Sequence, residues 1–299
     1  MERKEPLVSI GIPTYNRAAS YLAYTLRSAM EQTYGSIEII VSDNASTDNT
    51  VEFVATVADD RIRYLRHRTP ITPNANFNAC LNAARGKYFL LLHDDDAIDP
   101  DFVETCMRAV NYSHQYNTIR TGTRVIDSSN ATLSEHPNSQ TGETLDTLLM
   151  AWFTGKTSIY MCSTLFNTQK LKAIGGFYSS HNLLQDVVAI SRLAAEGPRL
   201  EISDVKASFR KHPDEATFAA KVGAWCDDFF SVLDLVTQLC PDRAEVIREK
   251  GSRFFVRLCM SRAKAIKSRG ERMGAYLTIA RTFGFRNIPH RRVFRELLC

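Results

Sequence analysis

The sequence has little that would build a cysteine scaffold or a membrane span. Its seven cysteines are odd in number and scattered, with no C-x-x-C pair. That pattern excludes the usual spacing of a zinc site and fits free thiols in a reducing cytosol. No apolar run reaches the roughly 20 residues a helix needs to cross a bilayer. Met1 to Pro6 is charged and polar, so no secretory leader is expected. Gly11 stands alone near the first apolar run, which counts against a glycine-rich phosphate loop. Internal repeats and low-complexity tracts are absent too. With 44% apolar and 23% charged residues, what remains is an ordinary globular protein, expected in the cytoplasm. Its 299 residues allow one large α/β domain with a helical extension, or two modest domains.

A net charge of +4 is too small to imply nucleic acid, and no nucleic-acid partner is expected. The charge is unevenly placed. From Arg243 to Glu296 fifteen Arg and Lys meet only Glu245, Glu249, Glu271 and Glu296, and the rest of the chain is net acidic. The C-terminal stretch therefore offers a basic face to an anionic partner.

What is present is an alternation of short apolar runs with amphipathic segments. Leu7 to Ile12 reads as a buried strand stopped by Pro13. Ser20 is placed to cap a helix with Leu22, Leu26, Ala29 and Met30 on one face. Ile37 to Val41 is rich in β-branched residues and reads as a strand. After the polar stretch Ser42 to Asp48, a helix turns Val51, Val54, Ala55 and Ala58 inward. Ile62 to Leu65 is a third strand, Phe77 to Ala84 a helix ending near Gly86, and Tyr88 to Leu92 a fully apolar strand. This alternation predicts an α/β fold with a mostly parallel sheet covered on both faces. From Ile119 the pattern is less regular. Ser128 to Glu143 reads as a loop, Leu183 to Ala195 as a helix and Val205 to Phe209 as a last strand. Beyond Ala216 the chain reads as wholly helical. Its apolar stripes are Trp225, Phe229, Val232, Leu233, Val236 and Leu239, then Phe254, Phe255 and Leu258, then Tyr276, Leu277 and Ile279. The predicted division is a sheet domain over 1–215 and a basic helical extension over 216–299.

In such sheets ligands bind beyond the carboxyl ends of the strands. The loops there hold Thr14-Tyr15-Asn16-Arg17, Ser42-Asp43-Asn44 and His93-Asp94-Asp95-Asp96. Adjacent carboxylates repel unless a cation neutralises them. Carboxylate oxygens suit Mg2+ or Mn2+, and Mg2+ completes its shell with water and phosphate. Read alone, the run fits a metal-diphosphate site as well as it fits a solvated acidic turn before a helix at Pro100. Asp43 could accept a hydrogen bond from a nucleobase or ribose. Alone it reads better as an Asx-type turn, with Ser46, Thr47 or Asp48 capping the next helix.

The combination is more specific. Val8 to Arg17, Ile39 to Thr50 and Gly86 to Asp96 occur in order, and together they resemble the family 2 glycosyltransferases of the GT-A fold. The first segment is similar to that family's strand and Pro-x-Tyr-Asn turn. The second resembles its Asp-Asp-Gly-Ser-x-Asp loop, with Asn44 and Ala45 as variants. The third resembles its DXD-type motif, with His93 where many relatives carry an Asp. Asn74 to Asn78 is similar to the Asn-rich segment before that motif. Gly175-Gly176-Phe177 followed by Gln185-Asp186 resembles the family's Gly-Gly-Phe segment and Glu-Asp pair. Phe209-Arg210-Lys211-His212 resembles its Arg-x-His element.

The resemblance implies a GT-A fold: a mixed, mostly parallel sheet flanked by helices, with a C-terminal helical extension. It implies an inverting enzyme that moves a sugar from a nucleotide-sugar donor, a UDP-sugar first, to an acceptor hydroxyl in bacterial-type polysaccharide or glycolipid assembly. Pro13, Tyr15 and Asn16 would border the base and ribose, with Asn76 among the nucleotide-binding residues. Asp43 would bond the base, and Asp94 would lie near the ribose. Asp95 would be the chief ligand of Mn2+ or Mg2+, with Asp96 beside it; a literal D-x-D reading pairs Asp94 with Asp96 instead. Asp186 would be the catalytic base, its bland alternative being helix-dipole stabilisation. Arg210 would hold the diphosphate, and His212 would reach the metal or a phosphate oxygen. The acceptor would be a saccharide or a lipid-linked saccharide, with Trp152 to Phe166 helping to form its site.

Two other classes compete. A sugar-phosphate nucleotidyltransferase needs the glycine-rich loop that Gly11 alone does not supply. A non-catalytic GT-A-like scaffold would have no use for the carboxylates at 43, 94, 95, 96 and 186. The basic C-terminal helices read as solvated outer faces or as a peripheral contact with anionic lipid at the inner face of the plasma membrane, at about 1 kcal/mol per basic residue. Phe254, Phe255 and Leu258 would otherwise form a homodimer interface.

Overall fold

In the computed structural model the described residues are 5–284, without 19, 139–141, 143, 214, 216 and 218–219. The basic residues Arg286, Arg291, Arg292 and Arg295 lie outside them, as do Glu296 and the first four residues of the leader-region reading. The chain divides into two units. One comprises residues 1–178 and 189–212, and the other comprises 179–188 and 213–299.

The sheet unit begins with β1 (Val8–Thr14), α1 (Leu22–Met30), β2 (Ile37–Asp43), α2 (Thr50–Ala55), β3 (Ile62–Arg66), α3 (Pro73–Ala83) and β4 (Tyr88–Leu91). It continues through β5 (Ala97–Ile98), α4 (Phe102–Ala109), β6 (Thr118–Ile126), β7 (Thr132–His136) and α5 (Leu145–Phe153). A short 3-10 turn leads to β8 (Thr164–Asn167) and α6 (Thr168–Ala173), then α7 (Gln185–Glu196), whose residues up to Val188 group with the second unit, and β9 (Arg199–Arg210). The strands form one sheet in the order β3-β2-β1-β4-β8-β6-β9-β5, with β7 on β6. Pairing is parallel from β3 to β4 and between β6 and β9, and antiparallel elsewhere. This is the mixed α/β sheet that the sequence resemblance implied.

Both faces of the first strands are covered, which is why they read as continuous apolar runs. Val8, Ile10 and Ile12 of β1, Ile39 and Val41 of β2, and Tyr88 and Leu90 of β4 join Leu22, Leu26, Phe102, Val103 and Met107 of the helices in one core. The alternate side chains meet α3. A Cβ on Gly11 would lie 2.7 Å from the Cys80 Cβ and from the Phe89 ring, so only glycine lets β1 come this close to α3 and β4. The strand order reverses between β1 and β4, and ligands of open α/β sheets bind at such a point. Register places Thr14 beside Asp43, and Leu92 N donates to Gly11 O at 2.9 Å. The loops after β1, β2 and β4 thus leave the sheet at the same end.

Several local expectations give way. Ser20 caps nothing: α1 starts after Tyr21 without a side-chain cap, and the Ser20 hydroxyl donates to Arg17 O instead. Ser46 and Thr47 do not cap α2 either; the Asp48 carboxylate takes that place, accepting from Thr50 N at 3.1 Å. α2 ends at Ala55, leaving Ala55 and Ala58 exposed. The segment read as a loop from Ser128 contains β7, whose side chains are mostly exposed. With both its faces largely in water, this strand carries no apolar alternation to read. The last strand is far longer than Val205 to Phe209.

The helical unit contains α8 (Val222–Leu239), α9 (Ala244–Lys264) and α10 (Arg269–Phe283), each packed on the other two. Trp225, Phe229, Val232, Leu233 and Val236 are buried as the stripe predicts, as are Phe255, Tyr276 and Ile279. Leu277 is exposed, and Leu239, Phe254 and Leu258 are only half-buried. Phe229 stacks on Phe255 at 4.5 Å, and the Arg262 guanidinium lies 3.7 Å from the Trp225 ring centre. No described helix is long and apolar enough to cross a membrane.

Candidate active site

Three loops meet at the carboxyl end of β1, β2 and β4. Pro13 and Thr14 are buried at the end of β1, and Tyr15 beyond them is half-exposed. Asn16 takes a left-handed conformation with φ 54°, which Asn tolerates better than most residues. In that shape its Oδ1 accepts from Thr47 N at 2.8 Å and Asp48 N at 3.3 Å, while its own N–H donates to Ser46 Oγ at 2.9 Å. The loops after β1 and β2 are thereby stitched together.

Asp43 is fully buried. Its Oδ1 accepts from Ser46 N at 2.9 Å, and its Oδ2 accepts from the Tyr64 hydroxyl at 2.6 Å, with Arg66 Nε at 3.5 Å. Asn76 is buried behind the same loop. Its Oδ1 accepts from Ser42 Oγ at 2.7 Å and lies 3.2 Å from His67 Nε2, and its Nδ2 donates to Ser42 O at 3.2 Å. The side chain thus anchors α3 to the end of β2.

The acid turn follows β4. Asp94 Oδ2 accepts from Thr14 Oγ1 at 2.7 Å. Burial, then the charge of Asp95, push the Asp94 carboxyl up to about 7 against that hydroxyl bond. Asp95 Oδ2 lies 3.0 Å from His212 Nε2. Burial alone would raise Asp95, but the His212 bond and the nearby His93 and Arg17 charges hold it below the ordinary range. Asp96 is buried, with Oδ1 accepting from Arg210 N at 2.9 Å and Oδ2 3.7 Å from His93 Nδ1. Burial raises it, and the Asp95 charge adds to that. Burial alone would lower His93, yet Asp96 and the two other carboxylates carry it up to about 9.

β9 delivers the remaining groups, because its pairing with β5 lays Arg210 and His212 against the acid turn. Arg210 is 1% exposed. Its Nε donates to Asp95 O at 2.7 Å and its Nη1 to Asp127 O at 2.9 Å, and its guanidinium lies 4.7 Å from the Tyr21 ring centre. The side chain expected on a diphosphate is thus largely engaged in holding the acid turn, and its Nη2 has no partner among the described residues. His212 packs on Tyr21, ring centres 4.7 Å apart.

The donor atoms of His93, Asp95 and Asp96 lie within 4.8 Å of one another. His93 Nε2 is buried without a partner among the described residues. Crowded carboxylates beside an unsatisfied imidazole fit a divalent cation better than they fit each other.

The structure gathers Tyr15, Asn16, Asp94, Asp95, Asp96, Arg210 and His212, with Asp43 in the adjoining loop and Asn76 behind it. Asp186 stands in the first turn of α7, in the stretch that groups with the helical unit, and its Oδ1 accepts from Val187 N at 2.7 Å. Sequence reasoning assigned no role to His93, Thr14 or Arg17. The signal was present for two of them: His93 stands directly before the acid run, and Arg17 closes the Tyr-Asn turn.

A parallel start, an acid turn at the strand-order reversal and an antiparallel return define the GT-A fold of the solved glycosyltransferases this chain superposes on. S. aureus TarS in complex with UDP-GlcNAc matches with TM-score 0.67 at 14% identity, over 96% of this chain and 92% of that one. The mannosyltransferase PcManGT from Pyrobaculum calidifontis, in complex with GDP-Man and Mn2+, matches with TM-score 0.58 at 15% identity, over 97% and 83%. Residues 9–175, more than half of the chain, match Glycosyl transferase family 2, and the chain belongs to that family. Among curated relatives, the Campylobacter jejuni GalNAc(5)-diNAcBac-PP-undecaprenol beta-1,3-glucosyltransferase is 35% identical over 116 residues, 37% of each chain. The Pasteurella multocida chondroitin synthase is 36% identical over 107 residues, 34% of this chain and 11% of that one. The matched stretch spans well under half of these relatives' length.

Proposed function

We propose that the chain transfers a sugar from a nucleotide-sugar donor to an acceptor hydroxyl with inversion, in bacterial polysaccharide or glycolipid assembly. The observation that carries the reading is the acid turn: three carboxylates and an unsatisfied imidazole held at the strand-order reversal of a family 2 sheet. A UDP-sugar is the first donor to test, since TarS is described with UDP-GlcNAc. GDP-sugars follow, since PcManGT is described with GDP-Man.

In this reading Pro13, Tyr15 and Asn16 border the base and ribose, with Asp43 and Asn76 shaping the loop that receives them and Asp94 near the ribose. Asp43 retains accepting capacity, because a carboxylate offers about four lone-pair sites. Asp95 and Asp96, with His93, would hold the cation, and His212 orients Asp95 through its hydrogen bond. The imidazole in the set favours Mn2+ over Mg2+. Bound there, a divalent cation supplies positive charge to the departing diphosphate. Arg210 fixes the acid turn and adds its own charge. Asp186 removes the proton from the attacking acceptor hydroxyl, help worth on the order of 10²–10⁴-fold. The acceptor is a saccharide, free or lipid-linked, reached through the segment from Trp152 to Phe166.

Thermal-shift titration with UDP-, GDP- and dTDP-sugars, with and without Mn2+, followed by nucleoside diphosphate release, tests the reading. One nucleotide class should stabilise the chain only with metal present and turn over only with an acceptor. Stabilisation by none of them, or release of inorganic diphosphate from a nucleoside triphosphate and a sugar phosphate, would sink it. Asp186→Asn should cut turnover on the order of 10²–10⁴-fold and leave donor binding intact.

A further inference from the structure

We infer that Asp228, on α8, is a positioning residue for Asp186; this rests on the base assignment above. Asp228 is 1% exposed and sits in a buried helix face otherwise made of residues such as Trp225, Phe229 and Val232. A carboxylate left bare there would be strongly destabilising. The donors that satisfy it come from one short segment. Its Oδ2 accepts from Ser179 Oγ at 2.7 Å and from Leu183 N at 3.2 Å, and its Oδ1 accepts from His181 N at 3.0 Å. Ser179 Oγ itself accepts from Leu183 N at 2.9 Å and Leu184 N at 3.1 Å. Asn182 is left-handed, φ 58°, and its N–H donates to Ser179 O at 3.3 Å. Next door on α8, Asp227 Oδ2 lies 3.3 Å from His181 Nε2.

The backbone N–H groups of His181, Asn182, Leu183 and Leu184 are all engaged in this frame. α7 begins at the next residue, Gln185, and Asp186 is the second residue of the helix. Asp228 therefore fixes the entry of the helix whose first turn carries the base. A general base misplaced by about 1 Å loses on the order of 10²-fold in rate, so the accuracy of that entry matters to turnover while donor binding does not depend on it. The apolar stripe of α8 is then more than packing: one acidic residue within it ties the helical unit to the base.

The test is Asp228→Asn, which keeps the shape but turns an acceptor oxygen into a donor facing N–H groups. Hydrogen exchange should quicken at least about tenfold in 179–188 and stay unchanged over Val8–Thr14. Turnover per UDP-binding site, followed as nucleoside diphosphate release from the donor the sugar panel returns, should fall on the order of 10–100-fold. The dissociation constant for UDP should hold within about twofold. The Asp186→Asn/Asp228→Asn double variant should be no slower than Asp186→Asn alone, because both act through one group. Additive losses, or full turnover in Asp228→Asn beside an inactive Asp186→Asn, overturn the positioning role and leave the base standing. Full turnover in Asp186→Asn overturns both. Should Asp228→Asn fail to fold, Ser179→Ala removes the hydroxyl that links Asp228 to Leu183 and Leu184. It should show the same pattern more weakly, and unchanged exchange over 181–184 in that variant overturns the proposal.

Discussion

Between β6 and β9, Glu201 lies against two guanidiniums; at the end of β4, three carboxylates lie against each other. Both groups sit largely out of water, and they are treated in opposite ways. Glu201 Oε1 accepts from Arg120 at 3.1 Å and Arg199 at 2.8 Å, and its Oε2 accepts from Asn138 at 3.0 Å. Arg199 also donates to the carbonyls of Gly142 and Thr144, and Arg120 donates to that of Ser158. Here opposite charges meet, and the cluster fastens the segments before and after α5 to the sheet. The acid turn is left open. Asp94 rises to about 7, Asp96 rises too, His93 rises to about 9, and the His93 Nε2 has no partner among the described residues. Opposite charges in burial make a fastening, whereas like charges in burial store free energy that a cation can release.

Substitution should separate the two directly. At the acid turn, Asp95→Ala should cut turnover on the order of 10²–10³-fold and abolish the Mn2+-dependent thermal shift with donor; a variant that keeps that shift would remove Asp95 from the metal set. At the fastening, Glu201→Ala leaves two buried guanidiniums facing each other and should cost about 3–5 kcal/mol in unfolding free energy. The Mn2+ response of its folded fraction should stay normal, and a loss of that response would mean that the two clusters are coupled.

Glu38 extends the comparison to pH. Burial alone would raise its carboxyl, but bonds from Ser9 Oγ at 2.7 Å, Arg85 N at 2.7 Å and Arg63 Nη1 at 3.0 Å hold it below the ordinary 4.5. A group depressed on folding contributes stability above its unfolded value and loses it as pH falls through the folded one. Glu38→Gln should therefore cost about 1.5–3 kcal/mol at pH 7, and the gap in melting temperature from the parent should narrow below pH 4.5. A gap that is constant with pH would assign the effect to packing. The smallest effect is expected at Ala45, which is left-handed at φ 60°. Ala45→Gly should relieve that strain and stabilise by up to about 1 kcal/mol, read as a small rise in melting temperature.

The parts of the fold legible in the sequence are those whose physics is local. β1, β2 and β4 are buried on both faces and show it as apolar runs, and the acid turn announces itself by crowding charge. Long-range pairing left no such trace. The Arg120–Glu201 pair joins residues 81 positions apart, and Tyr64 reaches Asp43 only because β2 and β3 lie side by side. β7 escaped notice because an exposed strand need not alternate. Asp228 was passed over because Trp225, Phe229 and Val232 around it read as an ordinary helical stripe.

β9 carries one more consequence. Its offset from β6 grows by three residues between the pairs Thr118–Arg199 and Ile126–Arg210, and the slack is taken up opposite Gly122. A Cβ on Gly122 would lie 3.0 Å from the Val205 side chain, so the bend has no room to migrate along the strand. Shortening Ile202–Asp204 by one residue would drag the far end back by about 3.3 Å, more than the 3.0 Å separating His212 from Asp95. The spare length in mid-strand thus acts as a spacer whose gauge is set at the acid turn, where an indel would be felt although it lies six or more residues before Arg210 in the strand.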